Sequence, residues 1–157
     1  MSRGVFISFQ HDDRDQARGF ALLQWNRYVD FDFRGRHLLS PVNSSNESYI
    51  RSKIREMMNG TSVTAVLIGR NTKDSDWVKW EIEESRARGN GIIGIRLKGR
   101  EDAEAPKTLT ENGYEVIDWE PSSFSDEVER CALIAGRKPQ QPPRYSSSVI
   151  GGCARTF

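Results

Sequence analysis

The chain has 157 residues, 36% of them apolar and 29% charged, with a formal net charge of +1. That is one domain's worth of sequence, able to bury about 70% of the surface its unfolded chain exposes, and a near-neutral balance gives no electrostatic reason to expect nucleic acid. No apolar run approaches the ~20 residues that cross a bilayer, Val5-Phe6-Ile7 is too short an apolar core for a secretory signal, and the two cysteines, Cys131 and Cys153, supply neither a disulfide framework nor a metal quartet. A cytoplasmic protein with neither nucleic acid nor membrane among its partners is therefore expected.

Gly4-Val5-Phe6-Ile7-Ser8-Phe9 reads as a first strand, short and mostly apolar. Polar residues 10–15 lead into a helix expected to reach about Val29, with Ala17, Phe20, Ala21, Gln24 and Tyr28 at helical spacing. Asp12 and Asp13 stand where carboxylates complement a helix dipole. Asp30-Phe31-Asp32-Phe33 alternates as a short second strand. Residues 34–46 then form a loop, with Gly35, Pro41 and Asn43, long enough to be a functional surface. Ser44 and Glu47 are spaced as a capping box, ahead of a helix that carries Ile50, Ile54, Met57 and Met58 on one face and ends at Gly60.

The β-branched run at residues 63–68 reads as a strand covered on both faces. Gly69 and the polar residues 70–76 break it, and Ser75 or Asp76 can cap the helix that follows. Arg86, Arg88 and Gly89 close that helix with cations in the last turn and a glycine just beyond it. Within it Val78 and Ile82 stand i,i+4 and can face the sheet, while Trp77 and Glu81 stand i,i+4 on an adjoining face. On position alone Glu81 is a solvated helix carboxylate like Glu83 and Glu84. Residues 91–97 read as a fourth strand. Gly89, Gly91 and Gly94 satisfy G-x-G-x-x-G, but here the glycines link a helix to a strand, whereas the dinucleotide fingerprint follows a strand and opens a helix. Residues 98–113 read as charged loop and residues 114–118 as a last strand. Ser123 or Ser125 can cap a final helix with Val128, Cys131, Ala132 and Ala135 on its buried face. From residue 136 prolines, serines and glycines accumulate, so a folded domain over residues 1–135 and a flexible tail over 136–157 are expected. Strands alternating with helices give an α/β class with a mainly parallel five-stranded sheet, helices on both faces, in the flavodoxin-like order 2-1-3-4-5.

Trp77-Val78-Lys79-Trp80-Glu81-Ile82 resembles the tryptophan-to-glutamate motif of Toll/interleukin-1 receptor (TIR) domains. Val66-Leu67-Ile68-Gly69-Arg70-Asn71-Thr72 resembles the strand and loop before that motif, and residues 4–9 resemble the first TIR box, an apolar strand followed by a serine. The resemblance is strongest to the TIR-like proteins of bacterial Thoeris anti-phage systems and covers roughly residues 4–135. It implies that Glu81 is catalytic, as the corresponding glutamate is in NAD-cleaving members, and that Trp77 walls the nicotinamide ribose. It further implies that Phe9 and His11 border the ribose or adenine side, while Phe33 and Asn43 belong to a gate formed by the loop over residues 34–46. That loop lacks the proline-glycine pattern common in animal receptors, which argues against receptor-like adaptor binding. NAD is then a substrate and no separate cofactor is implied. The resemblance also implies self-association and a diffusible cyclic or modified ADP-ribose that activates a separate effector.

Two rival chemistries fit the residues poorly. A phospho-receiver needs an aspartate ending strand three and a lysine after strand five, where this chain has Gly69-Arg70-Asn71 and Asp118-Trp119. A metal site lacks ligands, since His11 and His37 are isolated in sequence. Two alternatives stay open: a non-catalytic TIR-like interaction module, and nucleoside deoxyribosyl transfer, which also places a carboxylate at a ribosyl carbon.

Overall fold

The run Val63–Ile68 forms a strand in which every residue is buried, because it lies in the middle of a sheet with helices on both sides. A computed structural model describes residues 3–23 and 46–136, and the backbone of residues 31–35. The sheet consists of β1 (Arg3–Ser8), β2 (Phe31–Gly35), β3 (Val63–Ile68), β4 (Gly91–Arg96) and β5 (Glu115–Ile117), in the order β2-β1-β3-β4-β5. Every neighbouring pair is parallel. Among the described residues, α1 (Arg14–Leu22), α2 (Glu47–Met58), α3 (Asp76–Ala87) and α4 (Lys107–Thr110) connect successive strands, and α5 (Phe124–Ile134) follows β5. The expected α/β class with a parallel sheet is what the chain adopts.

Strand alternation sorts the core into two layers. Val5, Ile7, Val63, Ala65, Leu67, Ile93 and Ile95 meet Ala17 and Phe20 of α1 and Phe124, Val128 and Ala132 of α5. On the opposite face Val66, Ile68 and Ile92 meet Val78 and Ile82 of α3 and Leu109 of α4, and Phe6 meets Ile54 and Met58 of α2. Among the described residues no helix is long and apolar enough to cross a membrane.

The three glycines of the G-x-G-x-x-G run each have a structural reason unconnected with nucleotides. Gly89, at φ 75°, ends α3 in a Schellman motif: its N–H donates to Arg86 O at 3.0 Å and Asn90 N–H donates to Ser85 O at 3.1 Å. A Cβ on Gly91 would stand 2.4 Å from the carbonyl oxygen of Cys131, so α5 crosses directly over bare backbone. One on Gly94 would press on Ile68, Leu109 and Val116.

Several local expectations are corrected. Asn46, not Ser44, caps α2, its Oδ1 accepting from Tyr49 N–H at 3.3 Å; Glu47 thus becomes the first helical residue rather than the third, and Ser44 lies outside the described residues. Arg34 and Gly35 belong to β2, paired with Phe6 and Ile7, so the following connection starts after Gly35. The charged segment after β4 contains α4, a single turn hidden by its brevity and its single large apolar residue, the buried Leu109. Ser123 precedes α5, but its hydroxyl donates to Glu120 O at 2.9 Å rather than accepting a helix N–H. Ala135 is exposed past the end of α5. Gln24, Tyr28 and residues 137–157 lie outside the described residues.

Candidate active site

β1 has neighbours on both sides, so a polar residue within it is enclosed and must find a hydrogen-bonding partner. Ser8, at its carboxyl end, points to the α2/α3 face and donates its hydroxyl to Glu81 Oε2 at 2.5 Å. Both residues are 0% exposed. One turn further along α3, Ser85 accepts from Thr64 Oγ1 of β3 at 2.7 Å, again fully buried. The two contacts share a geometric cause. Ser8 is in register with Val66, so Ser8 and Thr64 are offset by two residues along the strand direction, about 6.6 Å, and by one strand spacing of about 4.8 Å across it. Glu81 and Ser85 are separated by four helical residues, about 6 Å. A helix running back over a parallel sheet therefore lays two polar side chains onto two polar strand positions.

α3 holds this alignment firmly. Ser75 Oγ accepts from Val78 N–H at 3.3 Å, a cap worth about 1 kcal/mol. Val78 and Ile82 anchor the helix on β3 and β4. From the side, Trp77 and Trp80 pack against Phe6, Ile54 and Met58, with their rings edge to face at 6.0 Å. The guanidinium groups of Arg51 and Arg55 lie 5.3 and 5.4 Å from the Trp80 ring, and Arg55 Nε donates to Glu84 at 3.1 Å. These contacts tie α2 to the helix that carries Glu81. Glu83 is exposed and Glu84 lies at the surface, whereas Glu81 is enclosed. The reading of Glu81 as a solvated helix carboxylate is thereby overturned.

The residues expected at the site do not all converge. Trp77 and Glu81 lie one turn apart on α3. Phe9 is buried on the other face of the sheet among Ala17, Phe20 and Phe124, because it follows Ser8 and alternation turns it away. His11 is exposed in a 3-10 turn, His11–Asp13, beyond β1. Phe33 lies in β2 opposite Val5, with its side chain outside the described residues; Asn43 lies outside them altogether. Ser8 was not assigned a role from the sequence. Its signal was there, a hydroxyl within an apolar strand that must be covered on both faces.

A second polar cluster lies beyond the carboxyl ends of β1 and β3. Thr72 Oγ1 accepts from Gly69 N–H at 2.8 Å and lies 3.4 Å from Asp13 Oδ2. Burial pushes the Asp13 carboxyl above its usual range, opposed by the Thr72 hydroxyl, while Asp12 adds to the rise and Arg100 opposes it. Asp13 is thus more than a helix-start carboxylate: its oxygens fill the space where a side chain on Gly69 would sit. Beside it, after β3 and β4, is a solvent-open cavity of about 260 Å³ lined by Arg70, Lys73, Arg100, Asp102, Ala103 and Glu104. Lys73 and Glu104 pair across it at 3.0 Å. Neither Glu81 nor Trp77 lines it.

Residues 6–102 match the family described as "Thoeris protein ThsB, TIR-like domain". A Bacillus cereus (strain MSX-D12) protein named "Putative cyclic ADP-D-ribose synthase ThsB1" is 29% identical over 142 residues, spanning 87% of this chain and 74% of the relative.

Proposed function

The chain belongs to the Thoeris ThsB TIR-like domain family, and from that membership we propose that it cleaves NAD between nicotinamide and ribose, with Glu81 as the catalytic carboxylate. One observation carries the reading: Glu81, in the tryptophan-to-glutamate motif, is fully buried and held by a strand hydroxyl, where a carboxylate serving only solubility has no reason to be. The relative's name supports the substrate class and a cyclic product.

Nicotinamide leaves as a neutral molecule from a cationic glycoside, taking the electron pair of the C1–N bond, so no strong general acid is required. The ribose ring becomes oxocarbenium-like, and a carboxylate in a low-dielectric setting stabilises that charge. An atom of the adenosine half then forms the new bond to C1 with loss of a proton, giving a cyclic ADP-ribose in place of the hydrolysed one when water is kept out. Trp77 contributes an indole wall on the helix turn before Glu81. Because Glu81 is enclosed, substrate entry requires its surroundings to open and then close over the bound substrate, as lids and loops do in other active sites. In this reading the product is a diffusible signal for a separate effector in anti-phage defence, and self-association through residues 34–46 completes the site. Specific activity then rises with protein concentration.

The test is incubation with NAD followed by mass spectrometry of the nucleotide products, with Glu81→Gln as control and a deoxynucleoside as alternative substrate. Nicotinamide release together with a cyclic ADP-ribose, both abolished in a folded Glu81→Gln protein, is expected. Wild-type turnover by Glu81→Gln, base release from the deoxynucleoside alone, or no turnover at all overturns the reading.

A further inference from the structure

We propose that Ser8 is a positioning residue for Glu81, setting the orientation of its carboxylate towards the ribosyl carbon whose developing charge it stabilises; the inference rests on the function proposed for Glu81 above. The two side chains differ in freedom. Ser8 has one side-chain torsion, and its backbone lies at the end of a strand flanked by β2 and β3, in register with Val66. Glu81 has three torsions and sits in the second turn of α3. A hydroxyl fixed to the sheet, donating to Oε2 at 2.5 Å, turns a flexible carboxylate into one with a defined plane. Both groups are at 0% exposure, and the contact is long-range, 73 positions apart in the chain.

A packing role alone accounts for Ser8 poorly. Its neighbour on the same strand face is Phe6, within an apolar cluster of Ile54 and Met58, and an alanine would meet that need at no desolvation cost. The Thr64–Ser85 pair provides an internal comparison. It uses the same helix-on-strand geometry, with a 2.7 Å hydrogen bond between two buried hydroxyls, but has no ionisable group. It can hold α3 in place without acting on the reaction. Ser8 instead contacts an ionisable group, the Glu81 carboxylate.

The position has a near-isosteric pair of variants that separates hydroxyl from shape. Threonine and valine add the same bulk beside Phe6, and only threonine keeps the O–H. The expected result is a fall in kcat on the order of 10- to 100-fold for Ser8→Ala and Ser8→Val, as for small misplacements of a reacting group, with KM for NAD changed less than about threefold. Ser8→Thr is expected to recover most of the loss. Ser85→Ala, the comparison variant, is expected to lower the thermal midpoint while leaving kcat near wild type. Where the bulkier variants fail to fold, Ser8→Cys, which keeps the serine's size but is only a weak donor, is expected to lose kcat as Ser8→Ala does, and wild-type kcat in Ser8→Cys would assign the effect to packing. Equal losses in the threonine and valine variants would assign the effect to packing and overturn the proposal, as would a rise in KM at constant kcat, or wild-type kcat in Ser8→Ala. If those results come with an inactive Glu81→Gln protein, the role of Glu81 stands and only that of Ser8 falls. Wild-type turnover in Glu81→Gln, or none in the native chain, removes both.

Discussion

Arg3, at the start of β1, donates two hydrogen bonds of 2.7 Å to the carboxylate of Glu129 on α5, across 126 positions of sequence. The guanidinium is 2% exposed and the carboxylate 46%, so the pair closes the amino-terminal edge of the sheet against the last helix. Hydrogen bonding from Arg3 holds the Glu129 carboxyl below its ordinary value. A lowered carboxyl pKa adds stability above the unfolded value of about 4.3, and that stability is lost as the pH falls through the lower folded value. Glu129→Gln is therefore expected to lower the thermal midpoint at pH 7, with the difference from wild type shrinking towards zero as the pH falls below the carboxylate range. With half the partner in water, about 1 kcal/mol is a fair scale, or about 2–4 °C. A pH series of thermal melts checks the sign.

Two glycines two positions apart should respond very differently to alanine. On Gly91 the new methyl meets the carbonyl of Cys131, which is backbone and gives way only if α5 moves. Overpacking of that kind costs about 3 kcal/mol or more. On Gly89 the methyl meets nothing within 4 Å and only the positive φ is strained, about 1–2 kcal/mol. Thermal melts of Gly91→Ala and Gly89→Ala should rank them in that order, with Gly91→Ala lower by several degrees.

Cys131 is 6% exposed, and burial pushes its thiol up to about 11. At pH 8 about one molecule in a thousand then carries the reactive thiolate, against roughly one in four for an ordinary thiol of pKa 8.5. In a Cys153→Ser background, labelling by a disulfide reagent should be at least ~100-fold slower in the native protein than in denaturant. Comparable rates in the two states would show the α5 face to be open.

The composition change at residue 136 coincides with the end of a helix, since Gly136 at φ 72° follows α5. We propose that residues 137–157 are dispensable for folding. A chain ending at Gly136 is expected to keep its thermal midpoint within a few degrees, and a loss of about 10 °C, several kcal/mol at this size, would show that the remainder packs on the domain.

Much of this architecture was legible locally. The β-branched run at residues 63–68, the Ser75 cap, the Gly89 stop and the Val78/Ile82 stripe each depend on neighbours within a turn or two, where periodicity, capping and backbone sterics act. The same rules dismissed the glycine pattern at residues 89–94 as a nucleotide fingerprint, and the folded chain supplies the reason: a helix stop, a crossing helix and a packed side-chain layer. Local rules failed where the deciding contact was distant or the element was a single turn. α4 is too short for a period to emerge, and Leu109 is recognised as core only once β3, β4 and α3 surround it.

Glu81 shows the division most clearly. Helical spacing put it on one face with Trp77, but a helix surface has several carboxylates and spacing does not say which is enclosed. That depended on β1 and β3 lying side by side, a pairing made across α2, which brings Ser8 under the second turn of α3. Periodicity reports which residues share a face; burial and hydrogen bonding depend on what the rest of the chain lays against that face.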